Sequence, residues 1–235
     1  MIFKLKQFNL KQADSLQKMG SDSMLLGASV KGEYNQILDI GTGTGILALM
    51  MAQKNIKANV IAIEPHLLSF NEAQLNFKQS QFSNRLKIEN TKLQNFKTSN
   101  KFDLIISNPP YYENSTLSQQ DSRNLARHTI DLPIIDFYKY SSQLLAENGK
   151  IHLIFPYDLQ KKHLHFAKQY GLYPISIINV IKENQKTIRN IITYAFNKID
   201  DVKNDSIIIS LSNGKYSEKY IELTKEFYAH DLSKK

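Results

Sequence analysis

Two segments and a lone carboxylate have the residue types and spacing to do chemistry. In Asn108-Pro109-Pro110-Tyr111, an amide stands beside two prolines and a phenol ring. The prolines fix the backbone and remove both N–H donors, so the segment presents carbonyl acceptors next to the Asn108 amide oxygen, with Tyr111 just behind. Such a loop accepts two N–H bonds and stacks a flat group. Attack by an exocyclic amine on a methyl donor requires this, because the nitrogen lone pair is conjugated into the ring. Accepting both amino hydrogens draws the nitrogen toward tetrahedral geometry. Asn108 and the Pro109 carbonyl are the expected acceptors, Pro110 the second rigid link and Tyr111 the stacking face, while positioning and electrostatics replace a strong base. A nucleobase held in a stack has to be flipped out to reach such a loop.

The second segment is Asp39-Ile40-Gly41-Thr42-Gly43-Thr44-Gly45, in which the glycines allow a tight turn and close approach of a ligand before a helix starting at about Ile46. The carboxylate is Glu64, about 20 residues beyond the turn, where a strand-end acid accepts hydrogen bonds from both hydroxyls of a ribose. Spacing of the GxGxG kind with Asp39 in front suits a zwitterionic ligand better than a pyrophosphate, which wants no carboxylate nearby. S-adenosylmethionine, with its ammonium and sulfonium, answers that description. Asp39, Gly41, Thr42, Gly43, Gly45 and Glu64 are the expected cofactor residues. A rigid Asn-Pro turn and a glycine turn also occur without any ligand, so the surrounding elements carry the decision.

Those elements are short apolar runs at Ile37–Ile40, Val60–Ile63, Leu104–Ile106 and Ile151–Phe155, of the kind needed by a sheet buried on both faces. The stretches between them are long enough for crossover helices, and Ile46–Gln53 is apolar nearly all round. The pattern is βαβαβ, hence a doubly wound, mostly parallel α/β domain of the Rossmann-like kind. It places Asn108 at the carboxyl edge of the sheet, where ligands of open α/β folds bind. Further runs at Ile175–Ile181, Ile191–Phe196 and Ile207–Leu211 are expected to add a few antiparallel strands, with Lys198–Asp205 a polar surface loop. No linker-like block interrupts the chain, so residues 1–235 are expected to form one domain, with residues 1–30 an N-terminal extension contributing to the cofactor site.

With these elements in place, the Asp39–Gly45 turn, Glu64 and Asn108–Tyr111 together resemble the class I S-adenosylmethionine-dependent methyltransferases that act on amino nitrogens. Adenine-N6 enzymes of DNA and RNA and the glutamine methyltransferases of release factors share both motifs. Three further segments, Phe8–Ser29, Ser107–His128 and Tyr216–Tyr228, resemble one bacterial family, the tRNA1(Val) adenine-N6 methyltransferases, which modify the adenine next to the anticodon. Met19-Gly-Ser-Asp-Ser-Met-Leu-Leu-Gly27 is similar to that family's Val-Gly-Thr-Asp-Gly-x-Leu-Leu-Gly, with Ser21 and Ser23 as departures. The resemblance implies Ser21 and Asp22 at the cofactor and Arg123, Arg127 and His128 near the substrate RNA. A helix-surface charge and a partly buried imidazole explain Arg127 and His128 equally well. The Tyr220, Leu223, Phe227 stripe reads as core packing. Many class I enzymes place an Asp after the third strand for the cofactor's adenine amine. Here Asn90 can accept that bond, with Glu89 competing if the strand runs one residue further.

Composition agrees with an RNA-modifying reading. The chain carries 30 Lys plus Arg against 22 Asp plus Glu, a net charge of +8, and its 42% hydrophobic content supplies one sizeable core. Lys161, Lys162, His163, His165 and Lys168 cluster after the fourth strand, and Lys4, Lys6, Lys11 and Lys18 near the start; either cluster can meet phosphates or simply be solvated. With no cysteine, thiolate zinc sites and cysteine nucleophiles are excluded. The histidines show no metal-ligand spacing, and no metal is expected. No signal or bilayer-spanning run is present, so a cytoplasmic protein is expected, with a monomer as its simplest state. Rival readings are N5-methylation of a glutamine in a protein such as a release factor, N6-methylation of another RNA or of DNA, a nicotinamide-dependent oxidoreductase, and an RNA-binding module that holds cofactor without turnover.

Overall fold

The computed structural model of the 235-residue chain describes residues 2–12, 20–109, 132–182 and 186–234. An eight-stranded sheet runs in the order β5-β4-β3-β6-β7-β9-β8-β10, with β3 at Gln36–Ile40, β4 at Asn59–Ile63, β5 at Leu86–Glu89, β6 at Phe102–Ser107, β7 at Leu145–Pro156, β8 at Tyr173–Ile181, β9 at Thr187–Ala195 and β10 at Lys203–Ile208. β3 pairs in parallel with both β4 and β6, so chain order reverses between β3 and β6. That is the switch point at which the loops following two neighbouring strands diverge and leave a crevice.

Helices cover both faces, which is why the central strands carry almost unbroken apolar runs. On one face α1 (Ser21–Ser29) and α2 (Ile46–Lys54) pack on Ile37, Val60, Leu104 and Ile106, joined by Phe77 of α3 (Leu67–Gln79). On the other, α4 (Ile134–Leu144) and α5 (Gln160–Gln169) cover Leu38, Ile40, Ile105 and Phe155. A hairpin of β1 (Ile2–Lys4) and β2 (Asn9–Lys11) and a short closing helix α6 (Glu218–Thr224) complete the α1 face. Tyr220 and Phe227 are buried there, as the stripe predicted.

Two sequence expectations need correction at the far edge. Only β9 runs against its neighbours: it pairs antiparallel with β7 and β8, whereas β10 pairs in parallel with β8. The expected loop also ends earlier, since Lys203–Asp205 lie in β10 and Leu211 lies beyond it. As an edge strand with one ladder and mostly exposed side chains, β10 has no apolar period to read. β7 begins six residues before its apolar run, and a Cβ on Gly149 would come within 2.7 Å of the Phe102 carbonyl oxygen. Only glycine permits that approach. Among the described residues no helix is long and apolar enough to cross a membrane.

Candidate active site

The turn after β3 is held by bonds that the chain makes to itself. Gly41 and Thr42 N–H both donate to the Ile63 carbonyl, at 2.9 and 3.2 Å, and Gly45 N–H donates to the Thr42 carbonyl at 2.9 Å. Gly43 N–H donates to Glu64 Oε2 at 2.9 Å, while Glu64 Oε1 accepts from His66 N–H at 2.9 Å. With these amides engaged, the turn lacks the open nest of N–H groups that a pyrophosphate needs, which argues against the nicotinamide reading. Gly41 and Gly43 have φ of +69° and +57°, and a Cβ built on either meets nothing within 4 Å. The backbone there faces open space, so a ligand can lie directly against it.

Asp39 lies under this turn. Its Oδ2 accepts from Thr42 Oγ1 at 2.5 Å and from Ala48 N–H, in the first turn of α2, at 3.0 Å. Its Oδ1 is buried and has no partner among the described residues. Burial lifts its pKa to about 7, against the pull of the Thr42 and Ala48 bonds, and the Glu64 charge adds to the rise. Burial raises Glu64 as well, opposed by the His66 and Gly43 amides. Two crowded, desolvated carboxylates beside open backbone fit a cationic, hydroxyl-bearing ligand such as S-adenosylmethionine. Asn90 follows β5 directly and turns its Nδ2 onto the Glu64 and Pro65 carbonyls at 2.8 and 3.1 Å, leaving Oδ1 as its acceptor. Glu89 ends β5 with its side chain exposed. Thr42 donates its hydroxyl to Asp39 and so braces the turn.

Across the switch point, Ser107 Oγ donates to the Ile40 carbonyl at 2.7 Å, locking the ends of β6 and β3 together. Asn108 comes next, only 9% exposed. Its Nδ2 donates to Ser23 Oγ of α1 at 2.9 Å, and its Oδ1 is buried without a partner among the described residues. One end of the amide is anchored and the other is a desolvated acceptor, costly to leave empty. Pro109 follows, half-buried. Pro110, Tyr111, Arg123, Arg127 and His128 lie outside the described residues, as does Lys18.

α1 runs antiparallel to the central strands, which explains how the N-terminal segment reaches the site. Ser29 near its end bonds buried His152 of β7 at 2.9 Å, and His152 in turn bonds Thr193 of β9 at 2.8 Å. Six residues earlier in the chain, Ser23 meets Asn108, and Asp22 Oδ2 accepts from Arg189 Nε of β9 at 2.9 Å. Ser21 is exposed at the first position of the helix. Lys161 and Lys162 are exposed in the first turn of α5. Sequence reasoning did not find Ser23 as the partner of Asn108, nor Arg189. The Ser-Asp-Ser run of α1 was the available signal for the first, and nothing local marked the second.

Known proteins place this architecture. The family model described as Methyltransferase small domain matches residues 14–173. A protein of Flavobacterium johnsoniae named tRNA1(Val) (adenine(37)-N6)-methyltransferase is 34% identical over 232 residues, covering 97% of this chain and 99% of its own. A Bacteroides thetaiotaomicron protein of the same name is 35% identical over 232 residues, covering 97% of each chain. Among solved structures, an O-methyltransferase predicted for Agrobacterium tumefaciens superposes with a TM-score of 0.67 at 17% identity, over 89% of this chain and 98% of that one. A precorrin-6y C5,15-methyltransferase from Geobacter metallireducens gives 0.54 at 14% identity, over 80% and 93%. The structural likeness shows the fold, and near-full-length identity above the one-third level shows the kinship: the chain belongs to the tRNA1(Val) (adenine(37)-N6)-methyltransferase family.

Proposed function

We propose that this chain transfers the methyl group of S-adenosylmethionine to N6 of adenine 37 in tRNA1(Val), the reaction its relatives are named for. The observation that carries the reading is Asn108 Oδ1, a buried acceptor without a partner among the described residues, one strand away from a glycine turn shaped for a cationic cofactor. When bound, the cofactor supplies an electrophilic methyl on a sulfonium. Gly41 and Gly43 let it approach the backbone, Glu64 accepts from its ribose, Asp39 balances its positive charge and Asn90 Oδ1 accepts from its adenine amine. Gly45 and Thr42 hold the turn in shape. Asn108 Oδ1 accepts one hydrogen of the target amine and the Pro109 carbonyl the other, turning the nitrogen lone pair out of conjugation. Pro110 and Tyr111 complete the loop, with Tyr111 stacking on the base.

A flipped adenine in tRNA also needs phosphate contacts, and we assign Lys161 and Lys162 to that task, with Arg123, Arg127 and His128. Every group named belongs to one chain, so a monomer suffices, and a tRNA substrate puts the reaction in the cytoplasm. Incubation with unmodified tRNA1(Val) and cofactor, followed by mass spectrometry of the nucleosides, is expected to find N6-methyladenosine. Asn108→Ala is expected to abolish it while leaving cofactor affinity unchanged by calorimetry. Methylation of a release-factor glutamine and not of tRNA overturns the assignment.

A further inference from the structure

We propose that Asp22 and Arg189 form a phosphodiester-binding subsite, in which Asp22 aims the Arg189 guanidinium at a backbone phosphate beside the nucleotide whose base enters the Asn108 loop. This rests on the RNA reading above and adds a binding group to it. Arg189 stands on β9 opposite Pro156 of β7, while Ser107 stands on β6 opposite Leu153 of that same strand. Arg189 is therefore three residues, about 10 Å, further toward the carboxyl edge than the strand end that precedes Asn108. Its side chain returns to α1, where its ion-pair partner Asp22 is the neighbour in sequence of Ser23, and Ser23 holds Asn108. The base acceptor and the guanidinium are thus linked through two consecutive residues of one rigid helix, a span comparable with that from a base edge to its own phosphate.

The guanidinium is set up to bind something more. Of its five N–H groups, Nε serves Asp22 and one on Nη1 serves the Ile188 carbonyl at 3.0 Å. The others have no partner among the described residues, and the side chain is 32% exposed. A carboxylate on the Nε edge fixes the plane and leaves the Nη edge outward, the fork that matches two phosphate oxygens. Lys182 and Lys186, exposed where β8 turns into β9, extend positive charge along this edge. Pinning α1 is not a sufficient reason for the pair. The buried Ser29–His152–Thr193 chain and the packing of Met24, Leu25 and Leu26 already do that, and a half-exposed pair adds little.

The test measures binding of cofactor-loaded protein to an anticodon stem-loop RNA across a salt series. Arg189→Gln is expected to bind roughly tenfold more weakly, the scale of one charge-assisted hydrogen-bonded contact. It should also flatten the log–log salt slope by about 0.7 for the single-strand phosphate lost. Asp22→Asn keeps the cation, so its slope stays while its affinity falls a few-fold. On the wild type, methylphosphonate is placed in turn at each phosphate flanking adenine 37. One position should cost affinity, and that cost should vanish in Arg189→Gln. Wild-type indifference to every neutral linkage overturns the proposal and needs no variant to fold. It is equally overturned if Arg189→Gln and Asp22→Asn lower melting temperature and turnover alike with the slope unchanged, which makes the pair a strut. Failure of the RNA reading itself looks different, since the wild type then forms no N6-methyladenosine in tRNA.

Discussion

Replacing Ser23 with alanine is a sharp test of how the target nitrogen is gripped. The hydroxyl is the acceptor for Asn108 Nδ2 at 2.9 Å, both residues are buried, and the other end of the amide is the acceptor assigned to the substrate. Ser23→Ala leaves a buried amide donor unmatched, at a cost of about 1–3 kcal/mol. The amide relieves that cost by turning over or swinging away, and either movement takes Oδ1 off the amine. If the same energy is lost from the transition state, kcat falls roughly 5- to 150-fold. Cofactor affinity should hold, because the turn after β3 is braced by Asp39, Ile63 and Glu64 and not by Ser23. Initial rates at saturating tRNA, read as N6-methyladenosine by mass spectrometry, give kcat, and calorimetry gives the cofactor term. Ser23→Thr keeps a hydroxyl and should recover most of the rate. A Ser23→Ala enzyme with wild-type kcat, alongside an inactive Asn108→Ala, refutes the reasoning, because the amide is then aimed by something else.

The carboxylate under the turn predicts a pH dependence. With its folded pKa raised from 3.8 to about 7, Asp39 binds its proton more tightly in the folded than in the unfolded state. Its contribution to stability therefore falls as pH rises between those values and is level above 7. A cationic cofactor prefers the ionised form, so binding at pH 6 should release a proton and be weaker than at pH 8. Calorimetry in buffers of different ionisation enthalpy measures this, and an affinity flat with pH removes Asp39 from charge balance. Two glycines of one turn should also fail differently. Gly45→Ala puts a Cβ 2.5 Å from Phe77 Cε1 at a φ of +87°, and thus should destabilise by at least about 2 kcal/mol in denaturant melts. Gly43→Ala, with nothing within 4 Å, should cost about 1 kcal/mol of stability and proportionally more cofactor affinity, because its methyl fills the ligand's space. Equal effects of the two on stability contradict that picture.

Much of the fold could be read in the chain because buried parallel strands announce themselves. Ile37–Ile40, Val60–Ile63, Leu104–Ile106 and Ile151–Phe155 all fall inside observed strands, and α2 begins at Ile46 as expected. β10 was expected only from Ile207 onward because the exposed first half of an edge strand carries no apolar period, and β7 began early because its first residues pair around Gly149 rather than by hydrophobic pattern. At the site, the glycine turn, Glu64 and Asn108 were visible as motifs. The contacts that hold them were not: the Thr42 bond to Asp39 and the Asp22 pair with Arg189 appear only in the folded chain.

The sequence by itself determined the chemistry on offer, since the acceptor pair of an Asn-Pro loop, the tight glycine turn and the strand-end acid are properties of neighbouring residues and survive in any fold that presents them. Only tertiary structure decided that Asn108 answers to a serine 85 positions earlier, and that Asp22, next to that serine, pairs with an arginine 167 positions later. Those contacts follow from β3 and β6 lying side by side at the switch point and from α1 lying across β7 and β9, against the direction of β7 and along that of β9. Long-range pairing of this kind is fixed by which buried faces fit together, and no local spacing records it.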